Sequence, residues 1–394
     1  MKDGPIRVLH VTPYFAPAFV YGGPPRSVLG LCRALRRAGA RVDVVTTTAN
    51  GSAELPPAVT EVATFDGVPV TYVPRSFPRR HFRAAALTRV LDAHAGGCDL
   101  VHVHGCWNLF GWAAARWCRR TGMPYGLSPR GMLHPWSFDQ RPMTKWLSYQ
   151  LVEAPTLRGA RFLHATSQQE SDVIAGLGLG SRIVVVPNGL DDLEEPLPGR
   201  SDVFRARYGV QPGDFLVLFL GRLHPKKGLD TLIDAMRRVA VERPEARLLV
   251  VGTGDPRFVR SLQTLARDLI GAGRVCFSGH LTGDDRRLAL TSADAFALTS
   301  HSENFGLSVA EAMAAGLPVV VSRHCPWPQV EAWHAGFWVD NDAALVSSAL
   351  TALARDRPLA QAMGENGQRE IRAYLCWDRL AREMLQAYER AVER

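Results

Sequence analysis

Glu303 and Glu311 stand eight residues apart, with Asn304-Phe305-Gly306 behind the first and a short apolar helical run, 307–315, carrying the second. A carboxylate that accepts from two neighbouring hydroxyls is an economical grip on a ring diol. The start of a helix leaves backbone N–H groups free and partly positive, which suits a phosphate or diphosphate. The same spacing also fits a capping loop with two exposed acids. A second set weighs against that plain reading. Gly221-Arg222 closes a strand-like run, and Lys226, Lys227 and Gly228 lead into a helical one. Arg222 and Lys227 can reach one anion from opposite sides, the first as a planar fork and the second as a point charge. Taken alone, that stretch is also an ordinary basic turn. Together the acids and cations suit a nucleoside diphosphate sugar. Glu311 would hold the ribose, Glu303 the sugar, and the cations a departing diphosphate.

Other candidates are weaker. Gly22 and Gly23 follow the first strand-like run and let a backbone approach a phosphate closely, or they form a plain turn. Gly252-Thr253-Gly254 lacks the third glycine of a dinucleotide fingerprint, and no P-loop is present, which argues against NAD and P-loop nucleotide chemistry. His102 and His104 alternate along Val-His-Val-His-Gly. His104 is nearer the carboxyl end, where it can meet a hydroxyl, handle a proton, or serve structure alone. No Ser-His-Asp pattern or metal-ligand spacing competes with it. The 7 cysteines are dispersed with no CxxC pair, which fits no zinc site and suits a reducing cytoplasm.

These residues need a scaffold, and the chain alternates strand-like and helical runs throughout. In the first half, strands are expected at 6–12, 41–47, 99–105, 124–131, 161–167 and 182–189, with helices at 26–39 and 113–122. Residues 190–200 are acidic and proline-rich without periodicity, the mark of a linker. The alternation restarts with strands at 215–222, 247–254, 274–279, 294–300 and 317–322 and helices at 230–240, 257–270 and 307–315. Strands apolar on both faces belong to buried parallel sheets. The expected fold class is therefore α/β, with two facing doubly wound Rossmann-like domains and ligands at the carboxyl ends of the strands, in an interdomain cleft. The segment 374–394 reads as an amphipathic helix whose apolar face is Leu375, Leu380, Met384, Leu385 and Tyr388.

Composition agrees with two cores. The chain has 394 residues, 46% hydrophobic and 21% charged. No apolar run approaches the roughly 20 residues of a membrane span. The opening residues lack a secretory h-region and cleavage site, so a cytoplasmic location is expected. The net charge of +8 is uneven. Arg75, Arg79, Arg80, Arg83 and Arg89 cluster without an acid, and Trp107, Trp112, Trp117, Trp136 and Trp146 lie among Arg116, Arg119, Arg120, Arg130, Arg141 and Lys145. That mixture suits an anionic membrane surface, such as the inner membrane face, or a solvated arginine-rich face. No nucleic-acid-binding motif accompanies the charge.

The motifs resemble the retaining glycosyltransferases of family 4, which have the GT-B fold. The likeness rests on Gly-Arg-Leu-x-Pro-x-Lys-Gly-Leu at 221–229, on the segments 277–282 and 292–300, and on Glu-x-Phe-Gly with a second Glu eight residues after the first. The first half adds the Gly-Gly loop, Asp-Leu-Val-His-Val-His-Gly at 99–105 and Val-Val-Pro-Asn-Gly-Leu-Asp at 185–191. The resemblance implies an acceptor-side domain over 1–195, a donor domain over 200–375, and a terminal helix, about 376–394, that returns to the first domain. It implies that Arg222 and Lys227 bind the donor diphosphate, Glu311 the ribose, Glu303 the transferred sugar, and the amides of Asn304, Phe305, Gly306 and Leu307 the sugar and phosphates. Gly23, with Gly22, would approach the β-phosphate, His104 would meet the sugar, and the base would lie against Gly279, His280 and Leu281. Neither a metal nor a cofactor is implied. The first loop departs from the commonest pattern by placing Pro24 and Pro25 before Arg26, so Arg26 is only a candidate acceptor contact. Residues 128–136 resemble a subset that assembles exopolysaccharide, which puts Trp107 and Arg130 on the acceptor side with a glycan or lipid-linked acceptor. A sugar-nucleotide epimerase and a noncatalytic nucleotide-sugar binder are the alternatives.

Overall fold

A computed structural model describes residues 4–61, 64–77, 79–134, 146, 148–190 and 200–393. The chain divides into two units, Met1–Asp191 with Leu375–Arg394, and Asp192–Tyr374. The linker reading at 190–200 falls almost wholly outside the described residues, as do Trp136, Arg141 and Lys145.

The first unit is built on one sheet. Its strands are β1 (Arg7–Thr12), β2 (Arg41–Thr47), β5 (Thr64–Phe65), β6 (Val68–Val73), β7 (Leu100–His104), β8 (Tyr125–Ser128), β9 (Phe162–Ala165) and β10 (Ile183–Val185). A small hairpin, β3 (Ala49–Asn50) and β4 (Ala53–Glu54), lies apart. The sheet order is β10-β9-β8-β7-β1-β2-β6-β5. Every pairing is parallel except β5 with β6. Alternate residues serve opposite faces: Val8, Val42 and Val44 enter one apolar cluster, and Leu9, Val11 and Val45 the other. The chain starts at the sheet centre, runs out to one edge, then returns to β7 on the other side of β1. The crevice outside the carboxyl ends of β1 and β7 is thus a topological switch point.

The last helix, Trp377–Glu393, closes one face of this sheet. Trp377, Leu380, Ala381, Met384, Ala387, Tyr388 and Ala391 are buried at helical spacing and join the cluster of the helix Gly23–Arg37. Close approach is possible because residue 30 is glycine: a Cβ there would lie 2.3 Å from Trp377 Cζ2.

The second unit holds β11 (Phe215–Leu220), β12 (Ala246–Val251), β13 (Val275–Gly279), β14 (Ala295–Leu298), β15 (Val319–Ser322) and β16 (Gly336–Val339), in the order β13-β12-β11-β14-β15-β16. All pairings are parallel. Its switch point lies between β11 and β14. Several elements differ from the sequence reading. Strands β6 and β16 and the helices Ala343–Arg355 and Arg357–Tyr374 went unread. The helix expected at 257–270 is two, Pro256–Leu265 and Arg267–Gly271, meeting at Ala266. The helix expected from 113 begins at Leu109, because the Asn108 side chain accepts the Gly111 N–H at 2.7 Å.

Gly30→Ala tests the docking of the last helix. The added methyl must push the indole aside, an overpacking cost of about 1–3 kcal/mol. A lowered melting temperature with faster amide exchange across 377–393 is expected; unchanged exchange there would contradict this account of the contact.

Candidate active site

In the second unit, the loops after β11 and β14 carry the expected site and are stitched together. The His301 N–H donates to Lys226 O at 2.8 Å, and Thr299 Oγ1 donates to Gly228 O at 2.7 Å. Gly228 has φ 60°, and a Cβ on it would sit 1.9 Å from Thr299 O, so only glycine lets the backbones meet. This contact brings Lys227 to Glu303, and the two form an ion pair. Both side chains are mostly covered. Burial acts to raise the Glu303 carboxyl, but Lys227, with Lys226 beside it, outweighs burial and holds it below its ordinary range. Glu303 Oε1 also accepts the Asn304 N–H at 3.2 Å, and the Glu303 N–H donates to His324 O at 3.1 Å. Arg222 is exposed at the end of β11 and makes no ion pair among the described residues. Lys226 is half-buried, and burial lowers its ammonium from the usual value.

The helix Leu307–Ala314 starts at Gly306, φ 74°, with no side-chain cap. Its first N–H groups are therefore open to an anion. Phe305 is buried edge-on against Trp327, whose Nε1–H donates to Phe305 O at 2.5 Å, so Phe305 offers a ligand its backbone rather than its ring. Glu311 is buried one turn into the helix, and Arg286 donates to its Oε2 at 2.5 Å. Gly279 ends β13, His280 is exposed and Leu281 is buried. Arg222, Lys227, Glu303, Gly306 and Glu311 thus lie on the loops and helix that leave the carboxyl ends of two adjacent strands.

In the first unit, Gly22 (φ 85°) is exposed and precedes the helix Gly23–Arg37, which has no side-chain cap. Arg26 is exposed, with its guanidinium 4.7 Å from the centroid of the Phe19 ring. His104 fits the structural alternative of its reading. It is 1% exposed, and both ring nitrogens are engaged. Arg130 donates to Nδ1 at 3.2 Å, so the ring proton sits on Nε2 and is donated to His10 Nδ1 at 2.9 Å. A parallel chain runs beside it. His164 Nε2–H donates to Val186 O at 2.7 Å, which makes His164 Nδ1 an acceptor for Ser128. Ser128 in turn accepts from His102 Nε2–H, and His102 Nδ1 accepts from Tyr388 of the last helix. Burial pushes the His10 and His164 imidazoles down to about 3, and His102 and His104 well below the usual value, so all four are neutral. Ring nitrogens of His10, His102 and His104 lie within 4.8 Å of one another, a spacing that could hold a metal. The direct His10–His104 hydrogen bond, and the arginine against it, mark a hydrogen-bonded array rather than a ligand set.

Trp107 and Arg130 occupy loops after β7 and β8 with φ 58° and 55°. Each such backbone costs of order 1 kcal/mol or more and needs restraint. Glu153 supplies it to the first loop, accepting the Trp107 N–H at 2.8 Å. Glu170 supplies it to the second, accepting the Gly131 N–H at 2.5 Å while also accepting from Thr166. Arg130 is tied further to Ser27 Oγ at 3.0 Å and Asn188 Oδ1 at 3.2 Å.

Comparison with known proteins shows the family and the fold. Residues 22–189 match the Glycosyl transferase 4-like domain and residues 201–370 the Glycosyl transferases group 1 family. The D-inositol 3-phosphate glycosyltransferase of Xylanimonas cellulosilytica is 31% identical over 406 residues, 95% of this chain and 93% of its own. The chain belongs to the group 1, family 4-like glycosyltransferases. A GDP-mannose-dependent alpha-(1-6)-phosphatidylinositol monomannoside mannosyltransferase of Mycobacterium tuberculosis is 31% identical over 231 residues, 56% of this chain and 59% of its own. The structure of Anabaena Alr3699/HepE in complex with UDP and glucose shares the fold, with a TM-score of 0.78 over 98% of this chain and 99% of that one, at 20% identity. This glycosyltransferase has the GT-B fold and transfers a sugar from a nucleotide sugar.

Sequence reasoning gave no role to several residues that shape this candidate site. Lys226 was visible beside Lys227, but spacing does not say which lysine meets the acid. Arg286, Trp327, Glu153 and Glu170 carried no local signal, since each acts on a loop distant in sequence.

Glu153 supplies a pH test. Burial, working against the Trp107 N–H that it accepts, pushes its carboxyl from 4.5 up to about 7. The cost of a buried charge is absent below about pH 4.5 and is fully felt above about pH 7, of order 3 kcal/mol. Glu153→Gln keeps an acceptor for Trp107 and cannot ionise. Its melting temperature is expected to exceed the wild-type value at pH 8 by several degrees, with the gap closing toward pH 5. A gap independent of pH would contradict the assignment.

Proposed function

We propose that the enzyme is a retaining, metal-independent glycosyltransferase whose donor diphosphate is held by the second unit. The observation that carries this is the cation group of Arg222, Lys226 and Lys227 at the β11–β14 switch point, next to an uncapped helix start. As the glycosidic bond breaks, negative charge grows on the β-phosphate. Fixed cations and N–H groups stabilise that charge without reorganising. Donor binding lets Lys227 share its charge between Glu303 and phosphate, which leaves Glu303 to accept from sugar hydroxyls. Glu311 accepts from the ribose, and the base lies along Gly279, His280 and Leu281. No carboxylate is assigned as nucleophile. The acceptor hydroxyl attacks on the face the diphosphate leaves, and a phosphate oxygen takes its proton.

A transfer assay tests this reading. Wild-type enzyme in excess EDTA is expected to transfer from one nucleoside diphosphate sugar with the anomeric configuration kept, as read by NMR. That donor should also raise the melting temperature, and the Arg222→Ala, Lys227→Ala double variant should lose the shift. Inversion of configuration, dependence on a divalent ion, or a shift that survives in the double variant would each overturn the corresponding part.

The acceptor is proposed to be a hydroxyl on a lipid-linked glycan, met by the first unit at an anionic membrane face. The supporting features are an exposed Phe77 near the exposed Arg79 and Arg83, and the exposed Trp146 and Leu151. The mycobacterial relative is named for a phosphatidylinositol monomannoside. No helix among the described residues is long and apolar enough to cross a membrane. Phe77→Ser with Trp146→Ser is expected to weaken flotation with vesicles rich in phosphatidylglycerol. Equal recovery with purely zwitterionic vesicles would count against a charged surface.

A further inference from the structure

Arg286 has no part in the sugar-nucleotide reading, yet it touches one of that reading's central groups. It stands on the helix Gly283–Thr291, between β13 and β14, and reaches over to Glu311 on the helix after β14. Its NH2 group donates to Glu311 Oε2 at 2.5 Å, with side-chain exposures of 21% and 10%. A carboxylate so covered needs a cation or a hydrogen-bond donor to hold it there. One hydrogen bond takes a single acceptor position of the roughly four that a carboxylate offers. Oε1 of Glu311 makes no hydrogen bond among the described residues. Arg286 itself has no other side-chain partner among them, so its guanidinium is committed to this carboxylate. The contact crosses between two helices, and a flexible acid one turn into a helix gains a fixed direction from it.

We propose that Arg286 is a positioning residue for nucleotide recognition: it clamps Oε2 of Glu311 and presents the Oε1 edge to the two ribose hydroxyls. This rests on the assignment of Glu311 to the ribose. Without the clamp the carboxylate turns among rotamers, and the entropy of fixing it falls on the binding step. Arg286 therefore acts on the discrimination between a ribose and a deoxyribose, not on the diphosphate.

The test is calorimetric binding of UDP and GDP, each against its 2′-deoxy form, to wild type and to Arg286→Met, Arg286→Lys, Glu311→Gln and the Arg286→Met, Glu311→Gln double variant. Methionine keeps the apolar stem without the charge. For whichever ribonucleotide binds, Arg286→Met is expected to weaken affinity about tenfold, the lower end of the range for a hydrogen bond to a charged group. The 2′-deoxy form should be nearly unaffected, Arg286→Lys should recover part of the loss, and Arg286→Met should add little to Glu311→Gln. In turnover the loss should appear in the donor KM and spare kcat. A general structural defect would instead weaken both nucleotides equally, and that result overturns the proposal. So does tighter ribonucleotide binding by Arg286→Met, which would make the arginine a competitor for the acid. If Glu311→Gln keeps the full preference for ribose, the ribose assignment fails and the proposal with it. If Glu311→Gln abolishes the preference and Arg286→Met preserves it, only the role of Arg286 fails.

Discussion

The proposed donor side of this enzyme depends on one backbone contact, the approach of Gly228 to Thr299. It joins the loop after β11 to the loop after β14, and it is the reason Lys227 and Glu303 meet. Two adjacent parallel strands whose connections run in opposite directions open a crevice at their carboxyl ends. A side chain larger than hydrogen at 228 would collide with a carbonyl. The glycine thus sets the width of the crevice, and the ion pair follows from that width.

Pairing each acid with a base has a second consequence. In the proposed binding mode a dianionic diphosphate comes close to Glu303 and Glu311. Both acids already face a cation, Lys227 and Arg286, so the local field is not one of bare negative charge. Arg222, which makes no ion pair among the described residues, then leaves the balance in favour of an anion. The ligand enters a site whose charges are held before it arrives, and little reorganisation remains for the reaction itself.

The first unit solves a different problem, that of keeping polar groups inside a sheet that is covered on both faces. Donor and acceptor accounting gives every hydrogen bond from Tyr388 through His102, Ser128 and His164 to Val186 a single direction. The last helix is therefore attached by a polar chain as well as by its apolar stripe. Buried Glu153 and Glu170 hold the strained loops after β7 and β8, where Trp107 and Arg130 sit. His104, the histidine nearest the strand end, belongs to this interior rather than to the surface.

Much of this was legible in the residues alone. Both-face apolar runs such as 215–222 and 41–47 determined parallel α/β sheets, since only helices on both faces hide such strands. The spacing of Glu303, Glu311, Arg222 and Lys227 near strand ends marked them as candidates for a donor site. Strands toward the sheet margins and late helices escaped notice: β6, next to the edge, carries a proline and β16, at an edge, has only four residues. What only the tertiary structure decided is which groups touch. That Lys227 faces Glu303, that Arg286 holds Glu311, that His104 is spent on His10 and Arg130, and that Glu153 braces Trp107 all follow from contacts between residues 25 or more positions apart. Local pattern sets where a side chain leaves the backbone. Its partner is set by how the crossovers bring strand ends together, and no short window of sequence contains that distance.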